Sequence, residues 1–405
     1  MMRPFRKLLS YEEAKRILLE GAVPIGRKER LTVRDLGGSV LAQDVVSRID
    51  VPPFDRSAMD GFAVRAEDTF GAGKFEPVEL RIVGRSLAGH PSETAIKPGE
   101  CIEIATGAKL PNGADAIVKV ENTELADDRV RVFTPVHPGQ DVSKKGEDIK
   151  RGEKVLKPGA YMDPPKIGVI AALGIKEVEV FARPTVAIIP TGAEVAALGS
   201  ELKEGQVYDI NTHTLSQIVL LNGCLPKPWD VVLDEVKPLA EAFGEALAED
   251  IVIFSGGSSV GETDILVDIL EERGKILFHG IQVKPGKPTL CATVEGKLII
   301  GMPGYPASCL TNAYALLAPV LRKMARLPPE TGHHLNLPIS RRVVSSLGRL
   351  QMLSVRVEDG KAVPVYKESG AITSLADADG YIEIPIGTEL VEKGENVRVK
   401  LFRSI

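Results

Sequence analysis

The chain has 405 residues, 44% of them hydrophobic and 26% charged, with a formal net charge of −5. That balance belongs to a folded protein with enough chain for two to four domains, and it excludes a disordered one. A negative net charge also excludes a general nucleic-acid binder, whose affinity rests on a basic surface.

No apolar run approaches the length of a membrane span, and the opening MMRPFRKLLSYEEAKRILLE lacks the apolar core and cleavage site of a signal peptide. Cys101, Cys224, Cys291 and Cys309 are scattered without a C-x-x-C pair, as free thiols in a reducing cytoplasm would be. The six histidines form no metal pattern, and His333–His334 falls in a linker where both side chains are expected in water.

Taken in chain order, Ser10 to Glu13 form a capping box that opens an amphipathic helix ending near Gly21. Residues 38–50 alternate like a strand. Between 52 and 140 come VELRIVG, GECIEIATG, ADAIVKVEN and RVRVFTPV, strand-like pieces split by Gly and Pro. They predict a small β domain, 51–140, inserted into an elongated N-terminal part made of 1–50 and 141–182. The latter part holds a polar, turn-rich ribbon from 142 and the apolar segment KIGVIAALG with its Gly stop.

From 183 to 327 the rhythm is α/β. TVAIIPTG reads as a buried strand, NTHTLSQIVLLNG as an N-capped helix, and LPKPWDVV as a strand. EVKPLAEAFGEALAE reads as a helix, DIVIFSGG as a strand and TDILVDILEERG as a helix. KILFHGIQV and KLIIG follow as strands, then a long helix in ASCLTNAYALLAPVLRKMA. Strands alternating with helices predict a doubly wound, mostly parallel sheet. After the LPPE linker, 328–405 is rich in strands and reads as a C-terminal β domain of barrel-like type.

Open parallel sheets bind ligands at the carboxyl ends of their strands, so the loops there carry the functional weight. They are TGAEV with Glu194, SGGSSVGETD at 255–264, KPGKP with Lys284 and Lys287, and MPGYP with Pro303 and Pro306. In the second, Ser255, Gly256, Gly257 and Ser258 would offer N–H groups and hydroxyls to a phosphate before a helix N-terminus. Asp264 either caps that helix or holds a divalent cation. Lys287 is either an anion ligand or solvated, and Pro303 and Pro306 either shape a binding loop or merely a turn. The KPGKP region is not a Walker A loop, since the spacing from Gly280 is too long and Pro288 stands where Ser or Thr should be. No G-x-G-x-x-G follows a strand and no G-x-S-x-G elbow occurs, which argues against a dinucleotide cofactor and acyl transfer.

One stretch fits no period. PPFDRSAMDGFAV at 52–64 sets Asp55, Arg56 and Asp60 beside Phe54, Met59 and Phe62. It is either a loop whose aromatics plug a core while its charges face water, or a functional segment.

Together PPFDRSAMDGFAV, TGAKLPNGADAIV, GEDI, TGAEV, SGGSSVGETD, KPGKP and GMPGYP resemble the MoeA/gephyrin E-domain family, in its order and along essentially the whole chain. The resemblance implies a molybdopterin molybdenumtransferase of molybdenum cofactor biosynthesis, acting with Mg²⁺. It would hydrolyse adenylyl-molybdopterin, insert molybdate or tungstate into the dithiolene, and release AMP. It also implies a four-part protomer in a homodimer whose cleft is shared between subunits, with the pathway's adenylyltransferase as a candidate partner. Carried over by position, Asp60, Asp148 and Asp264 take catalytic roles, with Mg²⁺ at Asp264. Thr106, Glu194, Asp234, Ser255, Gly256, Gly257, Ser258, Lys284, Lys287, Pro303 and Pro306 take substrate-binding ones. Lys284, Arg349 and Ser374 match the oxyanion ligands. Two places depart from the pattern: Gly280 stands where many bacterial members have a lysine, and Tyr305 replaces Asn in the last loop. Two alternatives stay open. One is the preceding molybdopterin adenylyltransferase, usually a single domain of under half this length. The other is a gephyrin-like scaffold without enzymatic activity.

Overall fold

A computed structural model describes residues 8–256, 265–329, 334–365 and 371–402. The chain forms two compact units, one from 1–29, 38–40 and 179–405 and the other from 30–37 and 41–178.

The first unit is organised on a six-stranded sheet. Its elements are β1 (Thr185–Pro190), α1 (Asn211–Leu221), β2 (Leu225–Pro228), α2 (Val236–Ala246), β3 (Ile251–Ser255) and α3 (Ile265–Arg273). They continue with β4 (Lys275–His279), β5 (Leu290–Val294) and β6 (Lys297–Met302). The strand order is β2-β1-β3-β6-β5-β4. β5 is antiparallel to both of its neighbours, so the other five strands run one way. The central strands β1, β3 and β6, rich in β-branched and apolar residues, are buried on both faces, as a parallel sheet requires. Val186, Ile188, Ile251, Ile253, Leu298 and Ile300 pack into one core with α1 and the helical run Pro306–Met324. Ala187, Ile189, Val252, Phe254 and Ile299 point the other way, into a second core under α2 and α3. Side chains alternate across a strand, so one apolar run feeds two layers and the sheet is doubly wound.

The helix Tyr11–Gly21 opens on the expected capping box, with Ser10 and Glu13 each bonding the other's backbone. It buries Tyr11, Ala14 and Leu18 in the core that holds Val186. The long C-terminal helix is one run of three pieces, because Ala313–Leu317 widens into a π turn. The carbonyl of Ala315 within that turn accepts the Tyr11 hydroxyl at 3.2 Å.

Three local expectations need correction. α1 has no side-chain cap: Asn211 lies inside the helix, Ile210 is its N-cap, and Asp209 accepts the Thr212 N–H at 3.0 Å. The 38–50 stretch is broken into Val40–Leu41 and Val45–Val46, the latter pairing with Lys154–Leu156. His333 lies outside the described residues, and His334 is not in a linker but starts the strand His334–Pro338, which pairs with Asn396–Leu401.

That strand belongs to a sheet ordered Val283–Lys284, Leu350–Glu358, Gly380–Ile384, Asn396–Leu401, His334–Pro338, with Lys361–Pro364 beside the second. Its interior is Ile339, Val343, Val355, Ile382 and Val399. The first strand is contributed by the segment after β4, which pairs in parallel with Leu350 and Gln351.

In the second unit each predicted strand piece carries a strand. The sheet order is Ala116–Lys119, Gly61–Val64, Glu100–Ile104, Val78–Ser86, Arg129–Val132, Thr123–Ala126. Phe62, Val64, Leu80, Cys101, Val118 and Val130 fill one face. The KIGVIAALG segment forms the helix Pro164–Ala172, capped by Asp163, whose side chain accepts the Lys166 N–H.

Candidate active site

At the carboxyl edge of the sheet, Pro190, Ser255 and Met302 stand in one row, the first two and the last two being register partners. The chain turns to opposite sides after β1 and β3, which makes this gap the switch point where such sheets open a crevice. Two glycines fit the loops together. Gly192 has φ +133°, and a Cβ there would lie 2.6 Å from the Glu194 carboxylate. Gly256 has φ +105°, and a Cβ there would lie 2.5 Å from the Thr191 carbonyl. Buried Asn211 donates from Nδ2 to the Gly304 carbonyl at 2.8 Å and so fixes the MPGYP loop. The resulting cleft of about 640 Å³ is lined by Glu194, Asp209, Asn211, Ser255, Gly256 and residues 303–306. Asp234 lies within electrostatic reach of Glu194. Burial pushes its carboxyl up, the nearby Thr191 hydroxyl holds it back, and the Glu194 charge pushes it further.

A second cleft, of about 880 Å³, lies where the KPGKP loop meets the C-terminal sheet. Pairing of Lys284 with Gln351 brings the loop beside Arg349, and both charged residues line the cleft with Lys287 and Ser374. Lys284 Nζ donates to Ser346 Oγ at 2.5 Å, and the Ser346 N–H donates to Gln351 Oε1 at 2.9 Å. The buried Ser374 hydroxyl donates to the Ala371 carbonyl at 2.8 Å, so it must rotate to donate to an anion. Asn312, fully buried on the long helix, donates to the Gly286 carbonyl at 2.9 Å and to Thr289 Oγ1 at 2.8 Å. Gly286 has φ +95°, and its missing Cβ leaves room for that Asn312 side chain. The two clefts share Pro288, Tyr305 and Ser308 as a common wall.

The structure therefore gathers Lys284, Lys287, Arg349 and Ser374 in one cleft, and Glu194, Ser255, Gly256, Pro303 and Pro306 in the other, with Asp234 coupled to Glu194. Gly257, Ser258 and Asp264 lie outside the described residues. Among the described residues no three His, Cys, Asp or Glu side chains cluster as a metal cage. Mg²⁺ does not need one: it keeps several waters and takes one or two carboxylates plus substrate phosphates. Glu194 and Asp234, two acids held close enough to repel, fit that demand.

Asp60, Thr106 and Asp148 belong to the other unit. Asp60 Oδ1 accepts the Thr106 N–H at 2.7 Å, which holds the exposed Asp60 carboxyl below the usual carboxylate range. Gly61 is required next to it, because the Val118 carbonyl occupies the place of a Cβ. Asp55 accepts the Lys145 N–H at 2.7 Å and Lys144 Nζ at 3.1 Å, and the first of these bonds contributes most to lowering its pKa. Asp148 is exposed, and its N–H donates to the Val51 carbonyl at 3.0 Å. The aromatics of this stretch do not all plug a core: Phe62 is buried, whereas Phe54 and Met59 are 37% and 42% exposed.

Sequence reasoning missed Asn211, Asn312, Ser346 and Gln351. A polar Asn312 in the apolar run CLTNAYALL was a usable signal. Nothing in the sequence marked Ser346.

Three family models match in succession. The MoeA N-terminal region (domain I and II) covers residues 9–174, the "Probable molybdopterin binding domain" 187–323, and the MoeA C-terminal region (domain IV) 336–402. The molybdopterin molybdenumtransferase of Bacillus subtilis is 32% identical over 93% of this chain and 90% of its own length. The chain belongs to the MoeA family. The molybdopterin molybdenumtransferase of Nostoc is 31% identical over 98% of this chain and 95% of that one. A molybdopterin biosynthesis MoeA protein of Pyrococcus horikoshii superposes with a TM-score of 0.84 at 38% identity, covering 98% of this chain and 100% of that one. Like these MoeA relatives, the chain is an enzyme of molybdenum cofactor biosynthesis. No helix among the described residues is long and apolar enough to cross a membrane.

Proposed function

We propose that this MoeA-family chain is a molybdopterin molybdenumtransferase that converts adenylyl-molybdopterin and molybdate or tungstate into molybdenum cofactor and AMP. The observation that carries the reading is the shared wall between a cleft lined by Lys284, Lys287 and Arg349 and a cleft lined by Glu194 and Asp209. A tetrahedral dianion suits the first, where Lys284 and Arg349 supply charge-assisted donors and Ser374 a hydroxyl. A phosphoanhydride with its cation suits the second, where Gly256 and Ser255 would approach the phosphates and Glu194 and Asp234 would hold Mg²⁺. Bound there, Mg²⁺ would neutralise phosphate charge as the anhydride breaks. Asp264 is assigned to the same cation, and Gly257 and Ser258 to the phosphates, by position alone. Pro303 and Pro306 keep their loop rigid, with Pro306 at the first helical position where its missing N–H costs nothing.

Asp60, Thr106 and Asp148 act, in this reading, from the neighbouring subunit of a homodimer. The protomer has four parts: 1–50 with 141–182, then 51–140, 183–327 and 328–405. A cytoplasmic location and a passing encounter with the adenylyltransferase complete the proposal.

The test is single-turnover assay of the purified protein with adenylyl-molybdopterin, Mg²⁺ and molybdate. Oxyanion-dependent AMP release and an active cofactor are expected. Formation of adenylyl-molybdopterin from ATP and molybdopterin instead would make the chain the adenylyltransferase, and no turnover in either assay would favour the scaffold.

A further inference from the structure

We propose that the Tyr305 ring is a shelf on which a flat heterocycle of the substrate stacks as it passes from one cleft to the other. The inference rests on the functional reading above and deepens it.

Tyr305 is 67% exposed, and its side chain has no hydrogen bond or ring partner among the described residues. Exposure alone decides nothing, since Phe75 is 93% exposed and lines neither cleft. The backbone under Tyr305 is what differs. Pro303 and Pro306 flank it, the Gly304 carbonyl is held by Asn211, and its own carbonyl accepts the Cys309 N–H at 2.9 Å to start the helix. On so constrained a backbone, only the side-chain torsions of the ring lose freedom when it takes a partner. It also stands in the wall common to both clefts, within reach of a ligand that uses both.

The ligand of the functional reading carries two flat ring systems, an adenine and a pterin, joined through phosphates. Either offers a π-face, and stacking a base on an aromatic side chain typically changes binding about tenfold. The Asn that the family pattern has at this place offers no such face. This chain would therefore offer the heterocycle a stacking surface that the family's Asn does not.

The experiment is calorimetric titration of AMP, neopterin and inorganic pyrophosphate into the full chain and its Tyr305→Phe, Tyr305→Asn and Tyr305→Ala variants, with melting temperatures as a fold control. Tyr305→Phe should bind all three within about twofold of the parent. Tyr305→Asn and Tyr305→Ala should bind the stacked heterocycle about tenfold more weakly, with pyrophosphate unchanged. A selective loss for AMP would identify adenine as the occupant, and one for neopterin the pterin. Parental affinity of both variants for both heterocycles would overturn the shelf while leaving the functional reading intact. Equal losses in Tyr305→Phe and Tyr305→Ala would place the contact on the hydroxyl and overturn it as well. A parent chain that binds neither heterocycle would sink the adenylate-substrate reading and the shelf with it.

Discussion

The carboxylate of Asp60 accepts the backbone N–H of Thr106 at 2.7 Å, across 46 positions of sequence. Two residues picked out by motif thus hold each other, with the Thr106 side chain as well as its N–H on the carboxylate. Asp60→Asn keeps an oxygen acceptor for Thr106 but loses the charge, whereas Asp60→Ala loses both. Asn should therefore leave the melting temperature near the parent's while activity falls about a hundredfold or more. If Asn restores most of the activity lost in Ala, Asp60 serves the loop and not the chemistry.

Lys284 should matter for the oxyanion and hardly for the fold, because among the described residues its Nζ meets only Ser346 Oγ. A charge-assisted contact contributes about 1.5–3 kcal/mol, so Lys284→Ala should raise the molybdate requirement about tenfold to a hundredfold. Lys284→Arg should recover part of the loss, since the charge stays and the geometry changes. Ser346→Ala should have a smaller effect in the same direction. Normal molybdate dependence with a melting temperature lowered by many degrees would make the lysine structural.

Asp250 links stability to pH. Arg27 reaches both its oxygens at 2.6 Å, and the Thr185 N–H adds a bond at 2.8 Å. Burial pushes the carboxyl up, but these bonds outweigh it and the pKa lies below the ordinary 3.8. A depressed folded-state value means a contribution complete above pH 3.8 and lost as pH falls through the folded value. Arg27→Met should cost about 1–2 kcal/mol near neutrality, toward the low end because Arg27 is half exposed. It should also flatten the acid side of the stability curve as pH falls below 3.8, as read by urea midpoints. An unchanged acid slope would show the pair to be screened.

A homodimer with a shared cleft, as proposed, predicts complementation. Mixed oligomers of Asp60→Ala and Lys284→Ala subunits should regain up to about a quarter to a half of parental activity, one intact site forming per heterodimer. Light scattering of the parent should give twice the chain mass. A monomer with full activity would remove the sharing, and with it the role of Asp60 in a neighbour's cleft.

The sequence alone determined the elements and the loops. Short apolar runs rich in β-branched residues and bounded by Gly and Pro favour buried strands over helices, so β1, β3 and β6 and the loops that follow them were readable from local pattern. Gly256 was read as a place of close backbone approach, and there, as at Gly192 and Gly286, a side chain would meet a neighbour. Local pattern also gave the capping box of Ser10 and Glu13. It misjudged Asn211, because the same residue type that caps a helix also bonds a distant carbonyl, and only the Gly304 loop decided which.

Tertiary structure decided everything that depends on register across long gaps. Lys284 and Arg349 share a cleft because Val283–Lys284 pairs as a strand with Leu350–Gln351, a pairing no local period encodes. Asn312 holds the lysine loop from a helix turn that could have faced anywhere until the core fixed its rotation. Ser346 meets Lys284 only through that same pairing. Spacing along a chain specifies which face a residue takes within its own element. What meets that face is set by how whole elements bury their apolar sides together, and that is a property of the packed core.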